Sequence, residues 1–245
     1  MSGTTVNCKR LAPFLALLIG MLACYSAAAR EPDPAYGQIA RSADGIGKTY
    51  MGREIAGVMG WEGAPWLERS DRAQQERPDV LLRELALKPG TTVADVGAGT
   101  GFYTWQIAQR VGAGGRVYAV DVQPEMIDLL NKQMLQRGVH NVISLLGTER
   151  DTTLPPATID LAIMVDVYHE LAFPSEVLDS IVRALKPGAR VVFVEYRAED
   201  PAVGIKPLHK MSESQVKREA AAHGLIWERT IASLPIQHAI VFRKK

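Results

Sequence analysis

Cysteine is nearly absent. Cys8 and Cys24 are the only two, and both lie in the first 29 residues. From residue 30 onward the chain therefore has no disulfide, no thiolate metal site and no thiol nucleophile. Excess charge is missing as well: 28 lysines and arginines face 27 aspartates and glutamates, a formal net charge of +1. That balance gives no electrostatic case for nucleic acid or an anionic surface as partner. Low-complexity tracts and internal repeats are also lacking. With 47% hydrophobic and 22% charged residues in 245, the composition is that of a soluble globular chain, one domain plus an appendage.

The one long apolar run is at the N-terminus. Lys9 and Arg10 precede an uncharged stretch from Leu11 through Cys24 to Ala29. Basic, apolar and small-residue segments in that order make an export signal over residues 1–29, with a cut after Ala27-Ala28-Ala29 and before Arg30. An uncleaved anchor through residues 11–29, or lipidation at Cys24, are the alternatives; either would confine membrane attachment to this segment. Export to the periplasm is the expectation. A misassigned start would leave the protein cytoplasmic.

Residues 30–78 form an extension with no clean period, read as short helices or loop lying against the following domain, with Trp61 and Trp66 as packing residues. Order begins at 79. "VLLRELAL" reads as a helix stopped by Lys88-Pro89-Gly90. Strands follow at "TTVADVG", "RVYAVDV", "NVISLLG", "IDLAIMVDV" and "RVVFVEYR", separated by helices at "FYTWQIAQRV", "PEMIDLLNKQMLQRG" and "PSEVLDSIVRALKPG". Ser212 to Gln215 has capping-box spacing ahead of another helix. "LIWERTIAS" and "QHAIVFRK" close the chain as strands. Alternation of strand and helix predicts an α/β fold with a mostly parallel sheet covered on both faces. The last two strands are too close in sequence for a parallel crossover, so they must be antiparallel.

"VADVGAGTG" (93–101) ends the first of these strands. Gly97 and Gly99 are followed at 102 by Phe, which breaks the G-x-G-x-x-G dinucleotide spacing, and the lysine of a phosphate-binding loop is missing. Asp95 would repel a pyrophosphate but attract a cation. Asp121, ending the second strand, is placed to accept from both hydroxyls of a ribose. These features call for a ligand with a ribose, a cationic amino group and no phosphate, and S-adenosylmethionine fits all three.

With "DVGAGTG", "AVDVQPEMI", "IDLAIMVDVYHEL" and "LKPGARVVFVEYR" in that order, residues 79–245 resemble the class I S-adenosylmethionine-dependent methyltransferases. The resemblance implies a Rossmann-like three-layer sandwich with a seven-stranded sheet in the order 3-2-1-4-5-7-6, strand seven reversed. It implies that Asp95, Gly97 and Ala98 lie by the methionine part of the cofactor and that Gly99 and Gly101 pass close to it. Asp121 and Val122 fall at the ribose, and Asp166 lines the pocket. Where the family often has Gly-Asp for adenine this chain has Gly147-Thr148-Glu149, so Thr148, Glu149 or Asp151 would serve. A cofactor-binding domain without turnover and a nicotinamide oxidoreductase are the rival readings.

The methyl acceptor is expected to be a small molecule, because substrate-binding insertions are short. His169 is the first candidate for a general base, since imidazole titrates near working pH; His209 and Glu195 are further catalytic candidates. Tyr168, Glu170, Tyr196, Arg197 and Lys210 are candidates for holding substrate, with Lys206 on the same loop and Gln237 and His238 at the last turn. His140 and His223 read as structural. Asp166, His169 and Glu170 are donors at close spacing, but Asp166 is assigned to the cofactor pocket and no metal is expected. The sequence leaves the oligomeric state and the acceptor atom open.

Overall fold

A computed structural model describes residues 1–3 and 35–245. The apolar segment 11–29 and its expected cleavage point lie outside the described residues. Pro34–Lys245 forms one compact unit.

Seven strands build the central sheet: β4 (Thr92–Val96), β5 (Arg116–Asp121), β6 (Val142–Leu146), β7 (Ile159–Val165), β8 (Leu185–Tyr196), β9 (Leu225–Ile231) and β10 (Gln237–Lys244). Their spatial order is β6-β5-β4-β7-β8-β10-β9, the expected 3-2-1-4-5-7-6. β10 runs antiparallel to both neighbours and the other pairs are parallel. Side chains of successive residues leave a strand on opposite faces, and the core divides accordingly. Ala162, Met164, Val191 and Phe193 join one apolar cluster, while Leu161, Ile163, Val192 and Val194 join the other. The first face is covered by α6 (Pro174–Ala184) and α7 (Glu213–Ala222), the second by α3 (Pro78–Glu84) and α4 (Thr104–Val111). α5 (Pro124–Gln136) packs Leu130 and Met134 against Ala119. Pro124 opens α5, and Ser212 caps α7 by accepting from the Gln215 N–H at 3.2 Å.

The extension differs from the expectation of helices or loop. β1 (Tyr36–Gln38), β2 (Gly45–Tyr50) and β3 (Arg53–Ala56) form an antiparallel three-stranded sheet. Tyr50 pairs with Arg53 across Met51 and Gly52, both at positive φ, 45° and 92°. A two-residue hairpin turn needs that backbone, but Met-Gly is not the usual Asn-Gly signal. Short helices α1 (Ala64–Leu67) and α2 (Arg72–Glu76) follow. Trp61 and Trp66 are not core packing: they are 43% and 51% exposed, and Trp66 is flanked by the Arg69 guanidinium at 4.1 Å.

Polar contacts hold this small sheet against α6 and α7. Arg53 donates to both oxygens of the fully buried Glu219, at 2.8 and 3.1 Å. Tyr36 donates to Glu176 at 2.6 Å, and Lys48 to the Ala172 carbonyl at 2.6 Å. His223, read as structural, joins Tyr50 at 3.1 Å and Asp179 at 2.7 Å.

Removing one partner of a buried ion pair strands the other charge. Arg53→Met should therefore lower unfolding stability by about 3–5 kcal/mol, with Arg53→Met/Glu219→Leu recovering most of the loss. Urea unfolding of the three proteins checks this; a double variant no more stable than the single one would contradict the stranded charge.

Candidate active site

The carboxyl ends of β4, β5, β7 and β8 converge. After β4 the backbone crosses to β5: the N–H groups of Gly97 and Ala98 both donate to the Val120 carbonyl, at 2.8 and 3.0 Å. Gly97 has φ 74°, and a Cβ there would stand 2.3 Å from Val167 Cγ2. Only glycine fits both the torsion and the space. Gly99, φ 53°, is covered by Leu67, and Gly101 faces Met134 and Leu130 of α5.

Asp121 accepts from the Gly99 N–H at 2.9 Å and the Gln123 N–H at 3.0 Å. Burial raises its pKa, while those backbone donors pull the other way. Val122 beside it is exposed, and Ala98 is half-buried. Asp95 is 3% exposed and accepts from Thr104 Oγ1 at 2.6 Å. Burial pushes its carboxyl up to about 6 against the opposing pull of Thr104 and Arg72.

Asp166 sits one residue past β7 in a left-handed conformation, φ 53°. Its Oδ2 accepts from Gln237 Nε2 at 2.6 Å, and its buried Oδ1 has no hydrogen-bond partner. Burial, then the Glu76 and Glu195 carboxylates, raise Asp166 well above the ordinary carboxylate range. Gln237 thus belongs to the carboxyl end of the sheet, with its own buried Oε1 unpartnered. His238 is also buried, and burial holds it below the ordinary histidine range.

Glu195, the penultimate residue of β8, reaches into the turn after β7. Its Oε1 accepts from the Tyr168 N–H at 3.0 Å and its Oε2 from His169 Nδ1 at 2.6 Å. Both oxygens of Glu195 are thereby engaged within the turn after β7. Burial pushes His169 down, but Glu195, then Glu170 and Asp166, outweigh it and raise the ring above the ordinary histidine range. The His169 and His209 rings meet edge to face at 5.1 Å. His209 Nδ1 stands 3.2 Å from Glu170 Oε1, and His169 Nε2 stands 3.8 Å from the same oxygen.

Three substrate candidates serve the fold instead. The Tyr168 ring is buried edge-on against Phe193 at 4.8 Å. Arg197 donates to the Leu234, Pro235 and Gln237 carbonyls and so fastens the β9–β10 turn. Lys210 donates to the Asp200 carbonyl at 3.3 Å, and Lys206 pairs with Asp44 at 2.5 Å. Tyr196 is buried, its phenol pushed up by burial, then by Asp166 and Glu76. Thr148 accepts from the Arg150 and Asp151 N–H groups in an exposed turn that also carries Glu149 and begins beside Asp121, whose carbonyl accepts from the Gly147 N–H at 2.9 Å. Asp151 pairs with Arg183 at 2.6 Å.

The extension supplies what sequence reasoning missed. Arg72 donates from Nε to both oxygens of Glu76, at 3.0 and 3.1 Å, and Glu76 also accepts from Arg69 Nη2 and Tyr103 Oη. Glu68 accepts from Thr100 in the glycine turn. The Met59 N–H donates to Glu170 Oε2 at 3.2 Å, while its carbonyl accepts from Gln123 Nε2 at 3.0 Å. Residues 57–76 thus cover the glycine turn. The i,i+4 Arg72–Glu76 pair was the available signal, though such pairs are usually solvated.

The methyltransferase-domain family matches residues 87–237. The chain is similar to an arsenite methyltransferase of Halobacterium salinarum, 34% identical over 43% of this chain and 27% of that protein. It is similar to a ubiquinone/menaquinone biosynthesis C-methyltransferase of Hydrogenovibrio crunogenus, 30% identical over 45% of this chain and 44% of that protein. It spans less than half the length of these two curated relatives. A solved S-adenosylmethionine-dependent methyltransferase from Aquifex aeolicus aligns with TM-score 0.73 and 29% identity, over 77% of this chain and 100% of that one.

Asp95 binds its proton more tightly folded than unfolded. Its contribution to stability is full below the unfolded pKa, about pH 4, and is lost as pH rises through about 6. Asp95→Asn should match the parent's melting temperature near pH 4 and exceed it by several degrees at pH 7.5, a gain of at most about 2–3 kcal/mol. Thermal scans across that range decide it; a constant gap at all pH values would rule out the buried charge as cause.

Proposed function

The chain belongs to the methyltransferase-domain family, with S-adenosylmethionine as its cofactor, and on that premise we propose that it methylates a small-molecule acceptor bound beside His169 and His209. The observation that carries this reading is the crowding of buried carboxylates around the glycine turn. Asp95 and Asp166 both have raised pKa values, and Asp166 Oδ1 has no hydrogen-bond partner. Such a site gains from a cationic ligand and penalises an anionic one such as a pyrophosphate. The donor set therefore fits S-adenosylmethionine.

The cofactor supplies a methyl group activated on a sulfonium. The chain's own residues bind and orient. Asp121 offers a carboxylate to ribose hydroxyls, and Gly97 and Gly99 let the backbone lie against the ligand. Asp95 and Asp166 hold negative charge next to that turn. Much of the acceleration in such a transfer comes from alignment. Glu195 locks His169 through Nδ1 and leaves its Nε2 on the acceptor side. Leu67 from the extension lies on Gly99 and Val167 from the turn after β7 lies on Gly97. We also propose export of the mature chain, beginning at Arg30.

Calorimetry with S-adenosylhomocysteine should give saturable binding that Asp121→Ala and Asp95→Ala each weaken at least about tenfold, about 1.4 kcal/mol. Affinity should fall below pH 6, as Asp95 takes up a proton in competition with the ligand's positive charge. Tight NAD binding with none of S-adenosylhomocysteine would sink the proposal. N-terminal sequencing of the secreted fraction should read Arg30 first; an intact Met1 in a soluble cytoplasmic protein would refute export.

A further inference from the structure

We propose that His169, Glu170 and His209 form a site for one divalent transition-metal ion, with Glu195 fixing His169 behind it. His169 and Glu170 lie in the short turn 168–170 after β7, and His209 in the turn 207–209 after β8. Two imidazole nitrogens and one carboxylate oxygen converge there, all within 4.8 Å of one another. Donors bound to one ion at about 2.0–2.2 Å stand roughly 3.0–3.4 Å apart at right-angled to tetrahedral openings. The 3.2 Å separation of His209 Nδ1 from Glu170 Oε1 fits this directly. The 3.8 Å separation of His169 Nε2 from the same oxygen is too long for a hydrogen bond. A small inward shift would bring both nitrogens and the oxygen onto one ion.

Each donor is held from behind. His169 Nδ1 donates to Glu195 Oε2, which sets the tautomer and leaves Nε2 to face Glu170. A carboxylate–histidine pair of this kind orients metal-ligating imidazoles and raises their basicity. Glu195 is itself fixed by the Tyr168 N–H. Glu170 spends Oε2 on the Met59 N–H and keeps Oε1 toward the two rings. The Arg53 guanidinium holds the His169 carbonyl at 3.3 Å, which pins the turn that carries both ligands. His209 is 23% exposed, so an ion can arrive from its side.

Two imidazoles and one carboxylate suit first-row ions of the zinc, iron and manganese group and leave coordination positions open. An ion held here would bind an oxygen-bearing acceptor, a hydroxyl or a carboxylate, at the carboxyl ends of β7 and β8. This role rests on the methyl-transfer reading; the ion site itself does not.

The test uses the full, untagged chain after chelator treatment, titrated with Zn²⁺ by calorimetry and with Co²⁺ by optical absorption. One ion per chain is expected, with Co²⁺ bands of a low-symmetry nitrogen and oxygen site. Glu170→Gln and His209→Ala should each weaken binding at least tenfold, and Glu195→Gln by about 10–100-fold. His209→Ala removes a partly exposed ring, and its melting curve should match the parent's, which separates lost binding from misfolding. No binding, or binding indifferent to all three substitutions, overturns the site. S-adenosylhomocysteine is titrated into the same samples. A chain that binds S-adenosylhomocysteine but takes up no added ion overturns the metal site and leaves methyl transfer standing. Ion binding without it overturns the acceptor role and leaves the metal site.

Discussion

Negative charge held out of water at the carboxyl ends of the parallel strands is the constraint on which this structure turns. Asp95, Asp166, Glu76 and Glu195 are drawn from four elements into one buried volume, and Asp121 stands at its edge. Isolated carboxylates cannot be buried cheaply. The chain meets the difficulty with Arg72 and Arg69 on Glu76, His169 on Glu195, Thr104 on Asp95 and Gln237 on Asp166. Burial first, and neighbouring carboxylates after it, hold Asp95 and Asp166 above the ordinary carboxylate range. Fold and ligand preference are thereby one problem: the arrangement that is costly alone is the one a cationic cofactor relieves.

The sheet could not reach this state by itself. The extension brings Arg72 and Glu76 over the glycine turn and Arg53 under the His169 turn. It touches the catalytic end from above through Met59, Leu67 and Glu68, and the α6–α7 face through Tyr36, Lys48 and Tyr50. A segment that reads as an appendage is therefore part of the site.

The sheet was legible because its signals are local and repeated. β7 is apolar on both faces, β10 follows β9 too closely for a crossover, and Pro124 and Ser212 sit where helices begin. Asp95 and Asp121 were legible because each breaks an apolar strand at its carboxyl end. The rest depended on contacts between residues far apart in the chain. Tyr168 and Arg197 carry polar groups that suit a substrate, yet one fills a space beside Phe193 and the other ties three carbonyls of a distant turn. The meeting of His209 with His169 and Glu170 rests on how the long loop after β8 folds back, which no spacing encodes. The β2–β3 hairpin was hidden because Met51-Gly52 lacks the usual turn residues.

The family's shared region covers residues 87–237, but the physical unit begins near residue 35. Glu219, buried within α7, has its arginine on β3, and Glu176 has its tyrosine on β1. A core transplanted onto a different extension would keep Arg150 on Glu176 but leave the buried Glu219 without its arginine. The loop carrying His209 is tied to the same extension, since its Lys206 pairs with Asp44.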